Sequence, residues 1–565
     1  MKKIIFYKSL LISLTIFISN SLVANINSDT AKKEPIIKLN GSISLGYWMS
    51  ISKKESADNT TYTQTPNWYI SGQPTITVMN VDFPFSGTYS NQEFDYTQPF
   101  NQYGLSPTYK WATFHIGYRN LKFSDFTMAG VTFLGGGLEL NPGKLRVGLF
   151  YGRFAKGISE DSVVAAQQGI TIIPTYERWG YGLKLGYGSL KNHIDFIATK
   201  LYDDTSSIKN SNDNITPSSN VTVGVSSKFS VFKRIHGTVD AGLSLITKDI
   251  RLDTLPFPEL NQYKSILPIN ASTMINPAFK AGIGYSGKLF DISVQSDYIG
   301  PNYESLGIYF IQNDLFRTTI RPKLKLFKRK LNISGSYGIQ SDNVADQKIA
   351  TTTRLIQSGN ISLSLIKGLI LQGNFSNYGT DQSSGKIQLN DSIRVSQVNQ
   401  CFGGSIMYSK MGEKIFTNVS ATYNQQSLND LNVVTAKYTE SDIKTTSLMI
   451  GMSHSPSKLS LGLGLLYNDI NVSTGNSVGF GPSLSFSSSL FKGKVSFNSN
   501  ASYQSRRVNS ISDGNILTVS SNLTVNAWDN HRIGLRSQYS KNNSSSQSIF
   551  LLTQNRIGFT YGYSF

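Results

Sequence analysis

Two stretches of this sequence concentrate charge in a pattern that could do chemistry. Between Phe316 and Leu326 the residues Phe316, Ile320, Pro322, Leu324 and Leu326 fall on even positions, with Arg317, Thr319, Arg321, Lys323 and Lys325 on odd ones. As a strand, this segment puts four cations on one face. Arg532 and Arg536, opposite Ile533, Leu535 and Tyr539, form a shorter pair of the same kind. A basic wall lining a water-filled pore concentrates anions and favours anionic solutes. The alternative is that charges of both signs pair across neighbouring strands.

Catalytic arrangements are poorly supplied. Gly475-Asn-Ser477-Val-Gly479 has the spacing of a nucleophile elbow, but that motif needs a strand-to-helix turn and here another alternating segment follows. The nearest histidine in sequence, His454, falls at the opposite end of its strand, so a Gly/Ser-rich loop is the reading. Gly282-Ile-Gly284-Tyr-Ser-Gly287 has dinucleotide-binding spacing without a βαβ context. His115, His193, His236, His454 and His531 are scattered, none at metal-ligand spacing from Cys401, which shares a face with Asn399 and Gly403. Asp203-Asp204 and Asp342-Asn343 with Asp346 could hold calcium, but read more simply as solvated loop charge. No enzyme and no cofactor are expected, and a single cysteine excludes an intramolecular disulfide.

The elements that would position these side chains are strands. Trp179, Tyr181, Leu183, Leu185 and Tyr187 alternate with Gly180, Gly182, Lys184 and Gly186, and Val495, Phe497, Ala501 and Tyr503 alternate with Ser496, Asn498, Asn500 and Ser502. One apolar face and one small or polar face is the lipid-out, water-in pattern of a transmembrane barrel. Very short connections, such as Lys233-Arg234, Lys328 to Lys330 and Lys367-Gly368, alternate with long ones rich in Asn, Asp, Ser, Thr or Pro, near 156–176, 203–219 and 249–273. The spacing predicts about 19 strands from residue 178 onward and about five before it, near 36–49, 68–82, 107–119, 125–140 and 144–155. The fold expected is all-β, a transmembrane antiparallel up-and-down β-barrel of about 24 strands, within about 22 to 26. The stretch 82–106, irregular and rich in aromatics, is either a small plug from a periplasmic-side loop or a structured loop at the periplasmic mouth.

The two ends of the chain orient this barrel. Lys2 and Lys3, the apolar run Leu10 to Ile18 and Ser21-Leu-Val-Ala24 read as a cleaved signal peptide over 1–24. A short periplasmic segment, 25–35, then leads into the barrel, 36–565. At the other end Ile557, Phe559, Tyr561, Tyr563 and Phe565 alternate with Gly, Thr or Ser, a final strand whose economical partner is the first. An even strand count places both termini and the short basic turns in the periplasm. The charge of +18, which becomes 18 − 3 = +15 without the three lysines of 1–24, then suits anionic lipid headgroups, and no nucleic acid is expected in an exported chain.

These five terminal residues resemble, position for position, the C-terminal signal of Gram-negative outer-membrane β-barrels that the barrel-assembly machinery reads. The Lys/Asn/Ser-rich composition and segments such as Tyr118-Arg-Asn-Leu-Lys-Phe-Ser124 resemble poorly characterised large barrels of Bacteroidota type. The resemblance implies location in the outer membrane, with its lipid and the assembly machinery as partners, and not substrate. The function expected is a porin-like channel or transporter passing solutes or an exported polypeptide. The alternative is a non-conducting structural or assembly barrel that anchors a surface or secreted protein partner through its loops.

Overall fold

The computed structural model describes residues 37–56, 59–79, 81–91, 101–159, 174–208, 215–254, 266–364, 366–384, 394–432, 434–528, 530–545 and 549–565. The expected signal peptide and the segment 25–35 lie outside them.

Period-two alternation sets the wall. In Leu145–Ala155, Leu149 and Tyr151 face out and are exposed, while Phe150 and Phe154 face in and are buried. In Glu177–Gly188, Tyr181, Leu183 and Leu185 face out. Each strand pairs antiparallel with its sequence neighbour in an unbroken series. The last strand, Ile549–Ser564, pairs with Ser42–Ser56 from Ser42 opposite Ser564 through Trp48 opposite Gly558. At the end of that seam Gly41 and Phe565 exchange N–H···O bonds of 3.1 Å. The sheet is therefore closed and presents no free edge.

Three strands are interrupted without losing register. Ile37–Asn40 continues Ser42–Ser56 across Gly41, and Thr75–Val78 continues Thr60–Gly72 across Gln73-Pro74. Gln102–Leu105 and Thr108–Tyr109 pair in one register with Ala112–Asn120 across Ser106-Pro107. Proline lacks the N–H that a ladder needs, which explains the second and third breaks. Counted this way the barrel has 26 strands, inside the expected range and one hairpin above its centre.

That extra hairpin lies where a plug or periplasmic loop was expected. Within 82–106, strand Val81–Ser90 and segment Gln102–Leu105 are part of the wall. Their connection lies at the long-loop end, and its residues 92–100 lie outside the described residues. Proline and glycine mask the period here: Pro84 sits inside one strand and Pro107 splits the other. The strand expected over 125–140 begins only at Thr132.

A row of glycines crosses the wall beside this hairpin. Gly104, Gly117, Gly135, Gly152 and Gly180 stand in register on five neighbouring strands. A Cβ at Gly135 would meet the Tyr151 carbonyl at 2.1 Å, and one at Gly152 the Leu134 carbonyl at 2.7 Å. Gly117 also has a φ of +89°. At Gly104, Gly117, Gly135 and Gly152, backbone from the neighbouring strand approaches too closely for a Cβ to fit.

At the short-turn end, exposed apolar side chains accompany the cations: Leu190 beside Lys191, Phe232 beside Lys233, Phe327 beside Lys328 and Phe491 beside Lys492. Phe232-Lys233, Phe327-Lys328 and Phe491-Lys492 all have positive φ.

Candidate functional site: an internal loop layer and a basic seam

Two connections at the long-loop end fold into the barrel and meet there. The first, 121–131, follows strand Ala112–Asn120. Its Leu121, Phe123, Met128 and Val131 pack with Phe133, Phe150, Phe154, Ile197, Leu201 and Ile246 of the inner wall, and Leu306 of the second connection completes the cluster. The second, 300–314, follows Phe290–Ile299, and its Tyr303 packs with Phe126, Ala278, Ile299 and Leu315. The strand pattern permits this because several inward positions are glycine. Gly224 and Gly242 are cross-strand partners; a Cβ at the first would meet the Thr127 methyl at 2.7 Å, and one at the second would meet Phe126 and the Tyr303 hydroxyl.

Hydrogen bonds join the two connections to each other and to the wall. The Tyr303 hydroxyl donates to the Phe126 carbonyl at 2.5 Å, and the Ser305 hydroxyl to the Thr127 carbonyl at 2.9 Å. Ala129 N–H donates to the Gly307 carbonyl and Tyr309 N–H to the Ala129 carbonyl. From the wall, buried Asn220 accepts the Leu306 N–H at 3.1 Å, and the Ser244 hydroxyl donates to the Glu304 carbonyl at 2.5 Å. Lys280 reaches inward to Asp125 at 2.8 Å, and Lys122 holds the same carboxylate at 2.6 Å. Burial alone would raise the Asp125 pKa, but the two ammonium groups outweigh it and hold the carboxyl below its ordinary value. Burial pushes the Tyr303 hydroxyl up, so it stays a donor at any physiological pH. The sequence signal for this layer was present but misleading: Phe126 and Met128 fall in the strand expected over 125–140, Leu121 and Phe123 fall in the gap before it, and Tyr303 and Leu306 sit in a loop expected to be polar.

The sequence-predicted basic residues fall in two places. Arg317 faces inward and pairs with buried Asp297 at 2.6 Å, and Lys325 pairs with Asp291 at 2.5 Å. Arg321 reaches Gln295 at 3.4 Å, and Lys323 is exposed. That strand's charge is thus partly neutralised by its neighbour. Arg532 and Arg536 lie on His531–Asn543, whose inner face meets that of the closing strand, and there Arg556 joins them. All three guanidinium groups are exposed to the lumen, and among the described residues none is in an ion pair with a carboxylate. Arg556 was missed because the final strand was read for its outward residues. Those residues, Ile557, Phe559, Tyr561 and Tyr563, alternate outward beside it, and Phe565 closes the seam.

The motifs set aside as non-catalytic fall apart in space. Ser477 lies near the long-loop end of Gly475–Leu490, whereas His454 ends its strand at a short turn, bonded to Ser457. Gly282 and Gly284 are strand positions leading into a turn. Asp203 is held by Arg178 at 2.7 Å. Cys401 is half-buried in a strand, with Asn399 two residues away on the same face.

No family model matches the chain, and no curated protein matches it. Solved structures similar to it include OpdQ of Pseudomonas aeruginosa, at 11% identity over 61% of this chain and 93% of that one, with a TM-score of 0.33. The P pilus usher PapC translocation pore shares 8% identity over 93% of this chain and 99% of that one, with a TM-score of 0.35. The unliganded ferric citrate transporter FecA shares 11% over 93% and 79%, with a TM-score of 0.38. The class rests on the strand pairing itself: a closed antiparallel 26-strand β-barrel of the outer-membrane kind. Its outward face is apolar along strand after strand, as a wall surrounded by lipid requires.

Proposed function

We propose that this chain is an outer-membrane transport barrel whose aqueous path runs along the seam side of the lumen. The observation that supports this most is asymmetry. The internal loop layer packs against the inner faces of strands from Thr132–Leu140 to Leu315–Leu326. The inner faces around the seam instead carry Ser, Thr, Asn, Gln and exposed Arg. A wall of 26 strands encloses more than the 16 to 18 that already leave an aqueous channel in porins, roughly 50 Å across if circular, at ~4.8 Å per strand and ~40° of tilt. Among the described residues, one packed layer of two short loops does not fill such an interior. In this orientation the short Phe-Lys turns lie at the periplasmic rim, where anionic headgroups suit them, and the internal loops hang from the outer side.

The hydrogen-bonded loop layer also favours a second reading, a plugged barrel that anchors a surface or secreted partner. Planar-bilayer recording of the purified mature chain separates the two. Discrete conductance steps are expected; a silent barrel that co-purifies with a partner protein overturns the transport reading.

A further inference from the structure

The inner face of the seam carries a patch of unusual composition. Across the four strands Thr60–Gly72, Ser42–Ser56, Ile549–Ser564 and His531–Asn543, five successive inward rows can be read from the register. They are Ser71, Ser44, Gly562, Arg532; then Tyr69, Gly46, Thr560, Gly534; then Asn67, Trp48, Gly558, Arg536; then Thr65, Ser50, Arg556, Gln538; then Thr63, Ser52, Gln554, Ser540. The patch holds three arginines and no carboxylate. The rest is hydroxyl, amide, glycine and two aromatic rings.

Its relief is as specific as its composition. Gly46 has no side chain, and the Tyr69 ring lies over it: a Cβ there would meet the ring at 2.1 Å. Tyr69 and Trp48 stand 5.6 Å apart at 54° and form one aromatic surface. Gly558 leaves a notch between Trp48 and Arg536, whose Cβ atoms would lie 3.6 and 4.0 Å from a Cβ built there. One row further, Arg556 donates to the Ser50 hydroxyl at 3.2 Å. It borders a hollow of about 220 Å³ lined by Ser52, Thr63, Thr65, Gln538 and Gln554 among others.

Each part suits a different portion of one kind of ligand. An aromatic surface accepts the C–H face of a pyranose ring, which a glycine-floored notch lets approach closely. A hollow lined by hydroxyls and amides offers donors and acceptors to sugar hydroxyls without desolvating a charge. Guanidinium groups form paired, charge-assisted bonds with a carboxylate or sulfate and remain charged at every pH of interest. We propose that this seam patch binds the acidic sugar units of an anionic saccharide, with Arg536 and Arg556 taking the acid groups and Trp48 and Tyr69 the ring faces. The site rests on the open lumen of the transport reading, since the ligand must reach the inner wall.

The test is equilibrium binding to the purified barrel in detergent, followed by tryptophan fluorescence, with oligogalacturonate as the probe and maltoheptaose as the neutral control. Saturable quenching by oligogalacturonate is expected, at least tenfold tighter than any response to maltoheptaose. Arg536→Gln with Arg556→Gln should weaken it at least tenfold, and Trp48→Phe should remove most of the signal. Equal binding of the neutral sugar, unchanged binding in the double arginine variant, or equally effective competition by sodium acetate each overturns the proposal. Binding of this kind reads the site even in a barrel that proves silent in a bilayer, so loss of the transport reading and loss of the site are told apart.

Discussion

The hydroxyl of Tyr303 donates to the backbone carbonyl of Phe126 across 177 residues of sequence, and Tyr303 is fully buried at that point. This bond ties one internal connection to the other. Tyr303→Phe should cost about 1 kcal/mol of local stability and increase the current noise of the open channel, measured in planar bilayers. Gly242→Val approaches the same contact from the wall, where a Cβ would meet Phe126 and the Tyr303 hydroxyl. It should raise mean conductance by displacing the layer. Unchanged current traces in both variants would mean that the layer takes no part in conduction.

The Asp125 tether makes the layer sensitive to acid. Its carboxyl is held below the ordinary value by Lys122 and Lys280 against the opposing effect of burial, so the stabilisation is present at neutral pH. It persists down to the unfolded-state value near ~4 and is lost as pH falls further. Hydrogen exchange of 121–131 should therefore be flat between about pH 7 and 5 once corrected for intrinsic rates, and protection should fall below about pH 4. Lys280→Met should weaken protection at neutral pH as well.

The glycine row should tolerate no side chain. Gly135→Ala drives a Cβ into the Tyr151 carbonyl, whereas Gly359→Ala meets nothing within 4 Å. The first should lower the folded, heat-modifiable fraction on gels several-fold. The second should leave it unchanged.

Deleting Phe565 removes both hydrogen bonds with Gly41 and the last outward aromatic of the seam. Reduced outer-membrane levels are expected in a fractionation experiment, and normal levels of the truncated chain would show that closure does not depend on that pair.

Cations of the two basic strands should behave differently on substitution. Arg317→Gln removes the cation paired with buried Asp297 and leaves it the Gln295 amide, so it should destabilise the barrel by about 1–3 kcal/mol, seen as a lower melting temperature. Arg321→Gln with Lys323→Gln should instead shift the reversal potential modestly toward cations at unchanged stability. Arg532→Gln with Arg536→Gln should shift it further, because no carboxylate pairs with either among the described residues.

The barrel was readable because its information is local. A face that alternates Leu183, Leu185 and Tyr187 with Gly182, Lys184 and Gly186 announces a strand without reference to any other part of the chain. The signal failed where local chemistry and tertiary role diverge. Pro84 and Pro107 break the alternation, and so a hairpin passed for a loop. Phe126 falls inside the strand expected over 125–140, although the space it fills is made by Gly242, 116 residues away in sequence, just as Phe123 fills the space left by Gly148 on another strand. The neutralisation of Arg317 depends on Asp297, its cross-strand neighbour, which a pattern within one strand does not reveal. Arg556 was hidden differently: it occupies the polar face of a strand whose apolar face took all the attention.

The proposed saccharide site has half of its residues on the first two strands of the wall and half on the last two. Neither half can exist as a site while the other is still being made or threaded. A nascent or partly inserted chain, however much of its wall has formed, is therefore blind to such a ligand, and competence arrives in one step at the moment the ring shuts.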